Sequence, residues 1–147
     1  MPIIHIHVAE GVLTREQKRD VVERTTQAAV EAEGVPVTDK TWVLIHEIAN
    51  GGWGEKGQVI EGGRPLPLID IHTAVGWLTM ARKARLIEDV ARVVTTSAGV
   101  PAVAYVLVHE VADGGWGWKG RQLTRAVYRP GRFALQLARW FHIVDRR

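Results

Sequence analysis

The sequence repeats itself, and this repeat constrains the fold more than any other feature. Residues 2–14 are echoed at 67–79, and residues 42–57 are echoed at 105–120 with 11 identities in 16 positions. The offset is 65 for the first pair and 63 for the second, so the second copy is two residues shorter. The chain is therefore two copies of one unit, and we look for a fold in which the two copies complete each other.

Each unit has the pattern strand, helix, strand. In the first unit, Ile3–Val8 is rich in β-branched residues, and Thr14 with Gln17 forms a capping box that predicts a helix start. Gly34 is expected to end this helix, and residues 42–49 form the second strand. The corresponding elements of the second unit are predicted at residues 68–73, 80–98 and 105–112.

A unit of this kind makes two parallel strands joined by a right-handed helical crossover. Two units predict an α+β fold, in which a four-stranded sheet carries both helices on one face. We divide the chain into a first unit, a linker, a second unit and a C-terminal extension that we expect to be helical. Their bounds are 1–61, 62–66, 67–120 and 121–147.

Two helices cover only one face of such a sheet. The second strand of the first unit is apolar on both faces, because Trp42, Leu44 and Ile48 alternate with Val43 and Ile45. The uncovered face therefore needs a partner, and we expect a homo-oligomer.

The composition narrows the class of protein. No cysteine is present, and no apolar run reaches the roughly 18 residues that a membrane-spanning helix needs. Without a secretory signal pattern, we expect a cytoplasmic protein with no membrane partner. The net charge of +3 comes from residues 121–147, with seven Arg and one Asp. Because this tail does not show the interleaving of basic and aromatic residues of a known nucleic-acid module, we expect no nucleic-acid partner.

The order of these motifs resembles the 4-oxalocrotonate tautomerase family. The first unit has a Pro-Ile-Ile strand, Glu-Gly, a capped helix, Gly-Val-Pro, Val-Leu-Ile-His-Glu and an aromatic-glycine loop, and the second unit repeats most of them. The chain thus resembles a fused member of the tautomerase superfamily, with two β-α-β units in one chain. The resemblance implies assembly as a trimer and catalysis without a cofactor or a metal.

The resemblance also implies that Pro2 is the catalytic residue, made N-terminal by removal of Met1. An N-terminal proline has a secondary amine, whose pKa is about 8 before burial lowers it. Such a base can take a proton next to a carbonyl group and return it elsewhere. Pro67 is the matching residue, but its nitrogen is an amide. We therefore predict a tautomerase that acts on a keto–enol or conjugated enol acid through Pro2.

The family's two substrate-binding arginines are missing from both copies. Val12 and Trp77 stand at one position, and Trp42 and Tyr105 stand at the other. Aromatic residues in place of charges favour a flat aryl keto–enol acid over a diacid. The predicted substrate-binding residues are Trp42, Trp53, Trp116, Tyr105 and, as a replacement cation, Arg64.

Other functions remain open at this stage. The same fold and Pro2 would serve a lyase or decarboxylase, or a dehalogenase-like hydratase, and a chain that lost its arginines could be a catalytically silent binding protein. A zinc site at His5 and His7 is disfavoured because Asp70 replaces His5 in the second copy. Glu47 and Glu110 are either acids of the site or a structural pair.

Overall fold

The computed structural model describes residues 2–34, 38–100 and 103–124. The first unit contains a long strand, a helix, a second long strand and a short hairpin. A single 3-10 turn at Thr38–Lys40 precedes the second strand. In chain order, these elements are β1 (Ile3–Ala9), α1 (Arg15–Glu33), β2 (Trp42–Ile48), β3 (Trp53–Glu55) and β4 (Gln58–Ile60).

The second unit repeats this order. Its elements are β5 (Leu68–Ala74), α2 (Met80–Ala98), β6 (Tyr105–Val111), β7 (Trp116–Trp118) and β8 (Arg121–Leu123). The last strand occupies the first residues of the predicted C-terminal extension. The helix predicted in the remainder of that extension lies outside the described residues.

The four long strands form one mixed sheet in the order β2-β1-β5-β6. The strands of each unit are parallel, whereas β1 and β5 are antiparallel, with His5 opposite Asp70. The two units therefore point in opposite directions and are related by a local twofold axis. This confirms the predicted sheet with its two crossover helices.

The core lies between this sheet and the two helices. Alternate residues of the central strands, such as Ile4, Ile6, Ile69 and Ile71, are fully buried against them. The capping box of α1 forms as predicted, because the Thr14 hydroxyl accepts from the Gln17 amide at 3.2 Å. No helix in the described part of the chain is long and apolar enough to cross a membrane.

The other sheet face carries no element among the described residues, and its chemistry differs between edge and centre. Large apolar side chains are exposed on the edge strands, with Trp42 58% and Tyr105 68% accessible. The sequence analysis predicted that this uncovered face is apolar, and the structure confirms this only near the edges of the sheet. Polar side chains lie on the two central strands of this face and extend to the adjoining positions of the edge strands. They are His5, His7, Asp70 and His72 on β1 and β5, and His46 and His109 on β2 and β6.

Each unit ends in a tight hairpin with a two-residue loop. Lys56 and Lys119 are the only described residues other than glycine with a positive φ, at 53° and 47°. Each precedes a glycine that also has a positive φ, which is the geometry of a type I′ turn. The aromatic-glycine loop of the first unit, at residues 51–54, thus leads into a hairpin that projects beyond the sheet.

Candidate active site

Pro2 lies at the beginning of β1 and is buried. Its carbonyl oxygen accepts a hydrogen bond from the Trp42 amide at 3.1 Å, which fixes it beside the start of β2. Pro67 is also buried, and its carbonyl oxygen accepts from the Tyr105 amide at 2.9 Å. The two prolines therefore occupy equivalent backbone positions, one at each end of the sheet.

The antiparallel pairing of β1 with β5 decides which residues join each proline. Ile3, next to Pro2, pairs with His72 near the end of β5. The start of β1 therefore meets the last residues of β5 and β6 and the loops that follow them. We name this region the Pro2 end and define it by Pro2, Glu33, Trp42, Trp77 and Trp116. The Pro67 end holds their repeat partners Pro67, Ala98, Tyr105, Val12 and Trp53.

The second hairpin covers the Pro2 end. It follows β6 at one edge of the sheet, yet the Lys40 ammonium, just before β2 at the other edge, lies 5.2 Å from the centroid of the Trp118 ring. To make this contact, the hairpin must pass across the ends of β5 and β1. Lys40 also pairs with Asp39, and its side chain is only 15% exposed. Lys40 is thus a partly buried cation close to Pro2, which the sequence analysis did not select.

The structure divides the predicted substrate-binding residues between the two ends. Trp116 lines a cavity of about 320 Å³ on the open face, together with His72 and with Ile3, the residue after Pro2. Trp42 starts β2 at the same end. The residues that line this cavity are Ile3, His5, His72, Val111, Gly115, Trp116 and Gly117.

Trp53, Arg64 and Tyr105 lie at the opposite end. Trp53 and Arg64 line a cavity of about 350 Å³ with Ala9, where β1 ends. Tyr105 is the first residue of β6, and its amide donates a hydrogen bond to the Pro67 carbonyl oxygen. Because a seven-residue strand is roughly 20 Å long, these side chains are remote from Pro2 within one chain.

Glu33 is a second residue of the Pro2 end that sequence reasoning missed. It is the last residue of α1 and only 4% exposed. Burial raises the pKa of its carboxyl group, while the positive amino terminus and a hydrogen bond from the Trp77 indole oppose that rise. The sequence held a signal for this residue, because the two copies differ here. Glu33 corresponds to Ala98 in the second copy, and Trp77 corresponds to Val12 in the first.

Glu47 and Glu110 hold loops at the two ends of the sheet. The Glu47 carboxylate accepts from the Gly11 amide at 3.2 Å and from the Lys18 ammonium at 2.5 Å. Glu110 accepts from the Gly76 amide at 2.9 Å and pairs with the Lys83 ammonium at 2.8 Å. The hydrogen bonds from Lys18 and Gly11 lower the pKa of Glu47. These contacts match the structural alternative for both residues.

The histidines of the open face are bonded to one another and to Asp70. His5 Nδ1 lies 2.8 Å from His46 Nε2, and His109 Nε2 lies 2.7 Å from Asp70 Oδ1. His7 Nε2 is 3.5 Å from the other Asp70 oxygen. Burial and the neighbouring histidines lower the pKa values of His5 and His7. Among residues 2–34, 38–100 and 103–124, no group of three or more potential ligands is placed to hold a metal ion.

Comparison with known proteins is decisive for the family. A family model described as "Tautomerase enzyme" matches residues 2–62 and again residues 67–126. The chain belongs to the tautomerase family. Its two matches coincide with the two units of the fold, so this tautomerase-family chain is a fused repeat.

Among curated proteins, the chain is 40% identical over 58 residues to a 2-hydroxymuconate tautomerase of Comamonas testosteroni. That match covers 39% of this chain and 87% of the relative.

Solved structures share the fold over nearly the whole chain. A wild-type fused 4-OT described as an asymmetric trimer has a TM-score of 0.76 at 23% identity, covering 86% of this chain and 99% of its own. A member of the cis-3-chloroacrylic acid dehalogenase family has a TM-score of 0.75 at 18% identity, covering 95% and 90%. At these identities, the likeness shows the fold alone.

We expect acid to destabilise the fold through His5 and His7. Because folding lowers their pKa values, the folded chain binds fewer protons than the unfolded chain below the ordinary histidine pKa of about 6.5. Their contribution to stability is complete above that pH and is lost as the pH falls below it. The free energy of unfolding, from urea titrations at pH 7.5 and pH 5, should fall more in the natural protein than in a His5→Asn/His7→Asn double variant. An equal fall in both proteins would contradict this assignment.

Proposed function

We propose that the protein is a tautomerase that uses Pro2 as its general base and acid, after removal of Met1. The neutral amine takes a proton from one atom of a keto–enol or conjugated enol acid, and the resulting ammonium returns that proton to another atom. The only σ bonds made or broken are those to hydrogen, and a C=C π bond is exchanged for a C=O π bond, so no cofactor is needed. The observation that carries the proposal is the placement of Pro2, which is buried at the start of β1, where loops of both units meet.

The fold gives both prolines the same backbone position, but only one of them has a nitrogen that can act as a base. The nitrogen of Pro67 is bonded to Leu66 as an amide, so its lone pair is delocalised and it is not a base. The nitrogen of Pro2 becomes a free secondary amine once Met1 is removed. We therefore expect one site per chain, at the Pro2 end.

The substrate we propose is a flat acid with one carboxylate. The curated relatives are named for 2-hydroxymuconate, but the positions of the family's two arginines are occupied here by apolar and aromatic residues. Trp42 and Trp116 supply aromatic surface at the Pro2 end, and an aryl keto–enol acid offers a matching face. Lys40 supplies a cation near the same end and is our candidate to attract the carboxylate.

We also propose that the protein assembles as a trimer. The open face carries exposed Trp42, Tyr105 and Leu107 at its edges, which is unfavourable in water. The solved fused 4-OT is described as a trimer, and three copies of this chain would cover one another's open faces. Light scattering during size-exclusion chromatography should give a particle of three chains. A monomer at micromolar concentration would contradict the proposal.

The central mutational test uses Pro67 as a matched control for Pro2. Pro2→Ala should lower kcat for enol–keto conversion of an aryl pyruvate by about 10²- to 10⁴-fold, the range of general acid–base catalysis. The loss need not be complete, because alanine leaves a primary amine. Pro67→Ala should leave kcat nearly unchanged, since the Pro67 nitrogen is an amide in the natural protein.

Two results would overturn the role of Pro2. One is an equal loss of kcat in Pro2→Ala and Pro67→Ala, which would reduce both prolines to structural residues. The other is full activity in a protein with one uncleaved residue before Pro2, because that residue converts the amine into an amide.

The two hairpins supply a second matched pair. Trp116→Ala should raise KM for the aryl substrate by roughly tenfold or more, because a large aromatic contact at the Pro2 end is lost. Trp53→Ala removes the same side chain from the Pro67 end and should change KM much less. Steady-state kinetics on both variants check this. A larger increase of KM in Trp53→Ala would place the substrate at the Pro67 end and contradict the proposed site.

A further inference from the structure

The repeat breaks its own symmetry at one buried position. Ala98 ends α2 at the Pro67 end, as a small apolar residue suited to the core. Its partner at the Pro2 end is Glu33, a carboxylic acid that is only 4% exposed. The same end has Trp77 where the other has Val12. A polar pair thus replaces an apolar pair only where a free amine can form.

This placement is costly for a carboxylate. Burial disfavours its charge, and the carboxyl end of a helix repels negative charge through the helix dipole. The last turn of α1 carries no basic residue that would compensate. A buried carboxylate is retained where a cation and hydrogen bonds satisfy it.

The groups around Glu33 identify that cation. The Trp77 indole, from the loop after β5, donates to the carboxylate, and the amino terminus interacts with it through both charge and a hydrogen bond. Arg82, from α2, donates instead to the Glu33 carbonyl oxygen at 3.3 Å. Lys40, from the segment before β2, is engaged with Asp39 and Trp118. The amine in this contact is that of Met1, which directly precedes Pro2, and removal of Met1 leaves the free amine on Pro2.

We propose that Glu33 is a positioning residue that holds the counter-charge for the Pro2 ammonium. This inference rests on the proposed function, since the amino terminus is the Pro2 amine only after Met1 is removed. When Pro2 takes a proton from the substrate, its nitrogen becomes positive, and the Glu33 carboxylate stabilises that charge until the proton is returned. The Trp77 hydrogen bond keeps the carboxylate oriented toward Pro2.

The sign of the effect follows from the charges. A neighbouring carboxylate favours the protonated amine and raises the pKa of Pro2, whereas burial and the cations Arg82 and Lys40 lower it. Replacing Glu33 with glutamine removes only the first contribution. The pKa of Pro2 should then fall. A fall in this pKa distinguishes a counter-charge from an acid with only a structural role.

The test measures the Pro2 amine directly. Protein labelled with ¹⁵N-proline and lacking Met1 is titrated by NMR, with the natural chain, Glu33→Gln and Glu31→Gln compared. Glu33→Gln should lower the pKa of the Pro2 nitrogen by about one to three pH units, the range for an opposite charge a few ångströms away. The acid limb of the kcat/KM profile should move by a similar amount. Glu31→Gln removes the same charge from an exposed position of the same helix and should leave both unchanged.

A conservative variant keeps the test decisive if Glu33→Gln folds poorly. Glu33→Asp retains the negative charge, so the pKa of Pro2 should stay closer to that of the natural chain than to that of Glu33→Gln. An unchanged pKa of Pro2 in Glu33→Gln would overturn the counter-charge and leave the proposed function intact. A shifted pKa of Pro2 in a protein without tautomerase activity would support the counter-charge and overturn the proposed function. A Pro2 nitrogen that never titrates would overturn both.

Discussion

The antiparallel contact between β1 and β5 is the interaction on which the site depends. It sets Ile3 opposite His72 and brings the start of the first unit against the last residues of the second. Each end of the sheet is therefore built from both copies, and neither copy completes an end alone. A fused chain can then change the two ends independently, because each end draws on different residues of the repeat.

The two ends differ in ways that follow from one chemical fact. Only Pro2 can become a free amine, since the nitrogen of Pro67 is locked in an amide. Around Pro2 the chain has Glu33 and Trp77, and around Pro67 it has Ala98 and Val12. At these positions the Pro67 end has apolar residues, whereas the Pro2 end has a buried acid. We interpret this difference as specialisation of a duplicated unit, with one end for chemistry and one for packing.

Sequence reasoning predicted the four long strands, the two helices and their order, because the repeat, the capping box and the β-branched strands are local signals. It did not predict the four short strands of the hairpins. It did not predict which tryptophan shares an end with Pro2, since that depends on the pairing of β1 with β5 and not on either unit alone. Trp53 belongs to the same unit as Pro2, yet it is Trp116 that lines a cavity with Ile3, the residue after Pro2. Lys40 and Glu33 were missed because neither stands in a family motif. Comparing the two copies position by position would have exposed Glu33, whose partner is Ala98.

The central claim is that this chain carries a free Pro2 amine at its buried end, and the intact mass of the protein purified from cells tests it most directly. The account predicts a mass equal to that of the chain beginning at Pro2, with Met1 absent from essentially all molecules. A protein that retains Met1 would have an amide at Pro2 and no base in either proline. Such a mass would contradict the proposed mechanism, the single site per chain and the role of Glu33 together.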